Sequence, residues 1–520
     1  MRKNEDADRK TLALGSGPLQ GGVSPVAGHR TGAVTARMLA IGSLLAMGIL
    51  IGLLVWKPEQ KRALAPSPLV VFCAAGIKPP VEAVAREYER AFGVPVQLQY
   101  GGSGTLLSNI RLSRLGDLFL AADSSYVVEA RKQELLAETV PLARIRAVIA
   151  VRKGNPKGIH SLSDLSRSDV ASAIANPDAA AIGRATRELL QTMGEWTELE
   201  KHFKVQKPTV TDVANDVTLG AVDAGIVWDA IVAHRPELES VRVPALDRVV
   251  SEVSVSVLTC SRKPTAALRF ARFLGARDRG LPEFRKSGYE PVAGDEWAEA
   301  PAITLYSGAM LRPAIEKTLK TFEVREGCRI TTVYNGCGIL VAQMKTGERP
   351  DAYFSCDVSF MKQVADLYLD PVSVSDNNLV ILVQKGNPLG IQSPNDLAKP
   401  GMRVGLGHPV KSAMGTQTRA LLDALGLTAD IAKNVKVESP TGDFLVNQIR
   451  TGSLDAVIAC RSNATTVRDV LDAIEIRHPL ALMTQPYAVG RESKYRQLML
   501  RLRERLLAGD SRQQFEAAGF

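Results

Sequence analysis

The chain is written twice, and this duplication limits its possible fold more than any other feature. Lys153-Gly154-Asn155-Pro156 returns 232 residues later as Lys385-Gly386-Asn387-Pro388, and the surrounding VIAVRKGNPKGIHSLSDL returns as VILVQKGNPLGIQSPNDL. Further landmarks follow in the same order. The glycine turn Gly102–Gly104 recurs at Gly336–Gly338, and Asp123 recurs as Asp357. Asn176-Pro177 with Gly183 recurs as His408-Pro409 with Gly415, GAVDAGIV as GSLDAVIA, and FRKSGY as FEAAGF. Order and near-constant spacing define two homologous modules, 69–292 and 302–520, with EPVAGDEWAEAP (290–301) across the junction.

Within a module, strand and helix signals alternate. Leu69–Phe72 is a β-rich run. After Pro79-Pro80, apolar residues at Val81, Val84, Ala85, Tyr88 and Phe92 keep the spacing of an amphipathic helix. Strand VPVQLQY, the glycine turn, helix TLLSNIRLS, strand DLFLAAD and helix SYVVEARKQ follow, and later VIAVR, AGIVW and SVSVLTC read as strands before the helix TAALRFARFLG. Alternating β and α units predict a mostly parallel α/β sheet. The size of the module predicts two α/β lobes with a ligand cleft between them.

Met38–Trp56 is a run of 19 residues without a charge, long enough to cross a bilayer core at about 1.5 Å per residue. Residues 1–37 hold six Lys/Arg (Arg2, Lys3, Arg9, Lys10, Arg30, Arg37) against three acids. The expectation is a disordered cytoplasmic tail at 1–37 and an uncleaved single-pass anchor at 38–56, with the rest extracytoplasmic. A cleaved signal peptide ending near Ala63–Ala65 is the alternative. The net charge of +9 raises nucleic acid as a partner, but the basic residues are scattered and aromatics are only 5%, which argues against it.

The set FCAAGIKPPVEAVAREYE, GGSGTLLSNIRLSRLGDLFLAAD, VRKGNP, NPDAAAIGRATRELL, GAVDAGIVW and FRKSGY resembles the molybdate-binding proteins of ABC importers, which are type II periplasmic solute-binding proteins. The likeness covers all of module one and most of module two. It implies, in each module, two lobes joined by two crossover strands and hinged to close on an oxyanion. The implied ligand is a tetrahedral dianion, molybdate or tungstate, held by N–H and hydroxyl donors at helix N-termini rather than by ion pairs. No cofactor is implied. The implied partner is an ABC permease.

Carried over position by position, the ligand-binding residues in module one are Gly76, Ser103, Ile182, Val210 and Trp228. The family often has serine where Gly76 stands and usually tyrosine where Trp228 stands. In module two the positions are Ala309, Cys337, Met414 and Cys460, so both hydroxyl positions have become cysteine. Asp123 and Asp357 read as helix caps.

Ser103 is not in a G-x-S-x-G elbow, and no Lys-Ser/Thr follows the turn. Neither a hydrolase nor a nucleotide P-loop is expected, and the chain reads as a binding protein rather than an enzyme. The cysteines Cys73, Cys260, Cys328, Cys337, Cys356 and Cys460 contain no C-x-x-C. Three readings of them stay open: a disulfide joining Cys337 to Cys460 or Cys356, buried free thiols, or a soft-metal site of Cys337, Cys356, Cys460 and His408. The functional expectation is a membrane-anchored extracytoplasmic protein that captures an oxyanion for an importer. The alternative is a ligand sensor or scaffold without transport, with module two diverged toward a thiol or soft-metal site or toward no ligand.

Overall fold

The computed structural model describes residues 67–520 together with Met47 and Gly48. The tail expected at 1–37 lies outside the described residues, as does the anchor at 38–56 apart from that pair. Among the described residues no helix is long and apolar enough to cross a membrane.

Module one holds β1 (Leu69–Ala74), β2 (Val96–Gly101), β3 (Leu118–Ala121), β4 (Leu136–Arg152), β5 (Ser172–Ala175), β6 (Phe203–Lys207), β7 (Ala224–Trp228), β8 (Leu238–Val241), β9 (Val250–Leu258) and β10 (Glu290–Pro291). Their order across the sheet is β2-β1-β3-β9-β4-β7-β5-β6, with β8 and β10 also paired to β4. The outer triplets β2-β1-β3 and β7-β5-β6 are parallel, but β4 and β9 run antiparallel to their neighbours, so the sheet is mixed rather than mostly parallel.

Strand β4 joins the lobes. Its first part pairs with β9, and Ala147–Arg152 pairs instead with β7 and β8. The chain returns beside this crossing, where the Ala147 N–H donates to the Val249 carbonyl at 3.1 Å. VIAVR is thus the end of a 17-residue strand rather than a separate one. Pro141 hides that continuity in the sequence. It is tolerated because the register shifts between Pro141 and Ala143, a bulge that spares the missing N–H.

Module two repeats the plan with β11 (Ala302–Gly308), β12 (Arg329–Asn335), β13 (Ala352–Phe354), β14 (Val372–Gln384), β15 (Val404–Gly407), β16 (Val435–Ser439), β17 (Ala456–Cys460), β18 (Leu471–Glu475) and β19 (Leu482–Val489). The order is β12-β11-β13-β19-β14-β17-β15-β16, with β18 on β14. Strand β14 changes partners from β19 to β17 and β18 as β4 changes partners in module one.

Local rules set the elements that carry the clefts. The helix Lys78–Phe92 starts with proline in its first turn, buries Val81, Val84, Ala85 and Tyr88, and ends at Gly93 with φ of 65°. Asp123 and Asp357 cap the helices that follow them by accepting from the N–H of Ser125 and Ser359, both at 2.8 Å.

The junction 290–301 is docked rather than loose. Trp297 meets Phe273 edge to face with centroids 4.9 Å apart. Asp295 accepts from the N–H of Gln497 (2.8 Å) and Leu498 (2.9 Å), capping the helix Arg496–Leu507 of module two. Arg325 of module two makes a bidentate pair with Glu138 of module one at 2.7 and 2.9 Å.

Candidate functional site: two closed clefts

In module one the structure brings Gly76, Ser103, Ile182, Val210 and Trp228 to one small cavity between the lobes. Each residue sits at the start of a helix or the end of a strand. Ser103 opens the helix Ser103–Ser113, Ile182 lies in the first turn of Ala181–Met193, and Val210 opens Val210–Leu219. N–H groups in a first helical turn have no intrahelical acceptor, and the helix dipole adds partial positive charge there. Trp228 ends β7.

The side chains are set to donate. Ser103 is buried, and its Oγ accepts from the Ala122 N–H at 3.2 Å, which leaves its O–H free to point at a ligand. Among the described residues no protein acceptor takes the Trp228 indole N–H. The adjacent ring carbon Cδ1 lies 3.5 Å from where a Cβ on Gly76 would stand. That same Cβ would fall 2.9 Å from Val210 Cγ1, so the large indole and the missing side chain at Gly76 fit each other. The Gly76 carbonyl, an acceptor that would repel an anion, is taken by the Tyr289 hydroxyl. Thr209 also lines the cavity, but its hydroxyl is spent in a capping box with Asp212. No lining residue of this cavity is charged.

The cleft is closed. The Gly104 N–H donates across it to the Ala179 carbonyl at 2.9 Å. A latch that the sequence did not reveal bridges the rim: Arg184 pairs with Glu129 at 2.8 Å and lies 4.8 Å over the Tyr126 ring. The repeat-equivalent positions in module two, Thr416, Gln363 and Phe360, cannot form this pair.

In module two, Ala309, Cys337, Met414 and Cys460 line a small cavity together with Cys356 and Asn463. The Ser103 contact is reproduced in sulfur, with Cys337 Sγ accepting from the Cys356 N–H at 3.2 Å. The Ser355 hydroxyl lies 3.8 Å from that sulfur but donates to the Asp357 carbonyl at 2.8 Å. Burial acts to raise the Cys337 thiol, but the Cys356 thiol and backbone and the Tyr353 and Ser355 hydroxyls outweigh it and hold it below the usual thiol range. Its hydrogen bond to Cys337, with burial, pushes Cys356 well above that range. Burial pushes Cys460 up to about 12.

Two of the open cysteine readings are corrected here. All six cysteines are free thiols. Among the described residues no group of three or more His, Cys, Asp or Glu side chains is placed to hold a metal ion. His408 does not join Cys337, Cys356 and Cys460 because its ring is occupied elsewhere. Its Nδ1 accepts from the N–H of Val410 and Lys411, both at 3.2 Å, holding the loop as Asn176 Oδ1 does in module one. Five of the six thiols are buried, so a thiol reagent at neutral pH should modify at most Cys260 in the native protein and all six in denaturant. Rapid native labelling of Cys337 would contradict this closed geometry.

Two lobes on paired crossover strands, closed over donor groups at helix N-termini, define the bacterial solute-binding class. The chain belongs to the bacterial extracellular solute-binding protein family, whose profile matches residues 69–290 and again 303–520. It is 29% identical over 212 residues to the molybdate-binding protein ModA of Mycobacterium tuberculosis, covering 40% of this chain and 79% of that one. It is 28% identical over 229 residues to a binding protein of Haemophilus influenzae, covering 43% of this chain and 91% of that one. Among solved structures it is similar to the periplasmic molybdate-binding protein of Azotobacter vinelandii (18% identity, TM-score 0.37, 42% of this chain and 98% of that one). It is also similar to the sulfate-binding protein SubI of Mycobacterium tuberculosis (17% identity, TM-score 0.38, 42% of this chain and 86% of that one). The chain is thus a solute-binding protein in two copies, similar to ModA, a binding protein and not an enzyme.

Proposed function

We propose that module one captures a fully deprotonated tetrahedral oxyanion, molybdate or tungstate, and delivers it to an ABC permease from a membrane-anchored position outside the cytoplasm. One observation carries this reading: the Gly76–Ser103–Ile182–Val210–Trp228 cavity presents N–H and O–H donors from converging helix N-termini and no charged side chain. An unprotonated oxyanion offers only acceptors, so every contact with such a lining is favourable. A protonated one would bring an O–H with nothing to receive it, at the cost of an unsatisfied buried donor. The ModA relatives agree with this choice of ligand, and the hydrophobic run 38–56 supports the anchor.

Calorimetry of the full chain with molybdate, tungstate, sulfate and phosphate tests the reading. Molybdate or tungstate should bind most tightly at module one, and no heat with any of the four would sink it. Ser103→Ala removes a donor and also orphans the Ala122 N–H. It should weaken molybdate binding by about 1–3 kcal/mol, roughly five- to a hundredfold.

A further inference from the structure

The module-two cavity carries a buried acceptor where module one carries none. Asn463 lines it and is 8% exposed, and its Oδ1 has no hydrogen-bond partner. The orientation of the amide is fixed, because Nδ2 donates to Asp443 Oδ1 at 3.1 Å and a carboxylate can receive only the nitrogen side. Oδ1 fills the space over Gly442, standing 2.3 Å from where a Cβ on that glycine would be.

The repeat shows what changed. Gly442, Asp443, Cys460 and Asn463 occupy the places of Val210, Thr211, Trp228 and Ile231. Two bulky apolar groups have been cut away, the indole donor has gone, and an amide oxygen and a carboxylate have arrived. The Cys337 sulfur, in the place of the Ser103 hydroxyl, is engaged as an acceptor by the Cys356 N–H. The backbone is unchanged in kind: Cys337, Met414 and Gly442 still sit in the first turns of the helices Cys337–Lys345, Ala413–Ala424 and Gly442–Arg450. Their N–H groups still call for anionic oxygens. A ligand matching this cavity therefore needs acceptors on most of its surface and one donor for Asn463 Oδ1.

We infer that module two is a second binding site, for a tetrahedral oxyanion that keeps a proton at neutral pH, with hydrogen phosphate the simplest member of the class. Its O–H donates to Asn463 Oδ1 while its other oxygens accept from the three helix N-termini. A fully deprotonated dianion would instead set an oxygen against Oδ1 with no proton between them. The two modules then divide oxyanions by protonation state.

The test is calorimetry of the full chain with inorganic phosphate, run without molybdate and again with molybdate in excess. One equivalent of phosphate should bind in both runs, sulfate should not compete for it, and Asn463→Leu should weaken it by about tenfold or more while molybdate binding is unchanged. The proposal is overturned if phosphate does not bind, if a second equivalent of molybdate or sulfate takes the site, or if Asn463→Leu binds phosphate as wild type does. The wild-type comparison of phosphate with sulfate decides the matter even should the variant fold poorly. Because phosphate is also measured alone, a failure of module one to bind molybdate would be seen separately.

Discussion

Replacing Gly102 with alanine should cost module one most of its ligand affinity while leaving its ligand-free fold intact. Gly102 precedes the helix of Ser103, with φ of −67° and ψ of 146°, a conformation that alanine adopts without strain. The obstacle lies across the cleft. A Cβ on Gly102 would fall 2.3 Å from the Ala179 carbonyl oxygen and 3.0 Å from that of Pro208. Both are backbone atoms of the opposite lobe, so no side chain can rotate away, and the lobes must stay further apart. Overpacking of this kind costs about 1–3 kcal/mol, occasionally more, so affinity should fall by roughly fivefold to beyond a hundredfold. Calorimetry with molybdate would report the loss, and thermal melting of the ligand-free protein should be unchanged. A large fall in melting temperature without ligand would mean that the closed contact holds the fold itself.

The largest effect on stability should come from Arg501→Ala. Arg501 is 5% exposed and Glu326 1% exposed, and they form a bidentate pair at 2.7 and 2.9 Å. The pair lies where the helices Arg312–Glu326 and Arg496–Leu507 meet, beside the Asp295 cap that joins the modules. Removing the guanidinium leaves a buried carboxylate without its hydrogen-bonded partner, which typically costs about 3–5 kcal/mol. Denaturant unfolding would measure this. The double variant Arg501→Met with Glu326→Leu should recover much of the loss, since an apolar replacement of a buried pair is often neutral. A loss below about 1 kcal/mol for Arg501→Ala would show that water reaches Glu326 and that the junction is looser than described.

Much of this architecture is legible in the amino-acid sequence, for physical reasons. Glycines that admit close backbone approach leave a pattern that survives duplication: Gly102, Gly104 and Gly183 recur as Gly336, Gly338 and Gly415, and in both copies a Cβ at these places would strike backbone oxygen. Ser103 and Ile182 could be placed because each adjoins such a landmark. What was hidden depends on side-chain direction. His408 reads as a ligand by composition, yet its ring nitrogen faces its own loop. The Arg184–Glu129 latch joins residues of different lobes with no sequence pattern to link them. Asn463 was missed as well, although a signal existed. It stands three residues after Cys460, where module one has the apolar Ile231, and an apolar-to-amide exchange at a buried repeat position marks a change of chemistry. The length of β4 was obscured by Pro141, whose bulge interrupts the pattern without ending the strand.

The central claim is that a fully deprotonated oxyanion sits among the module-one donors. Crystals grown with molybdate and measured on both sides of the molybdenum absorption edge would test it most directly. The account predicts one strong anomalous peak per chain, between the Ser103 hydroxyl and the Trp228 indole and within hydrogen-bond reach of the N–H groups of Gly76, Ile182 and Val210. A peak only in the module-two cavity, or no ordered molybdenum in either cleft, would contradict it.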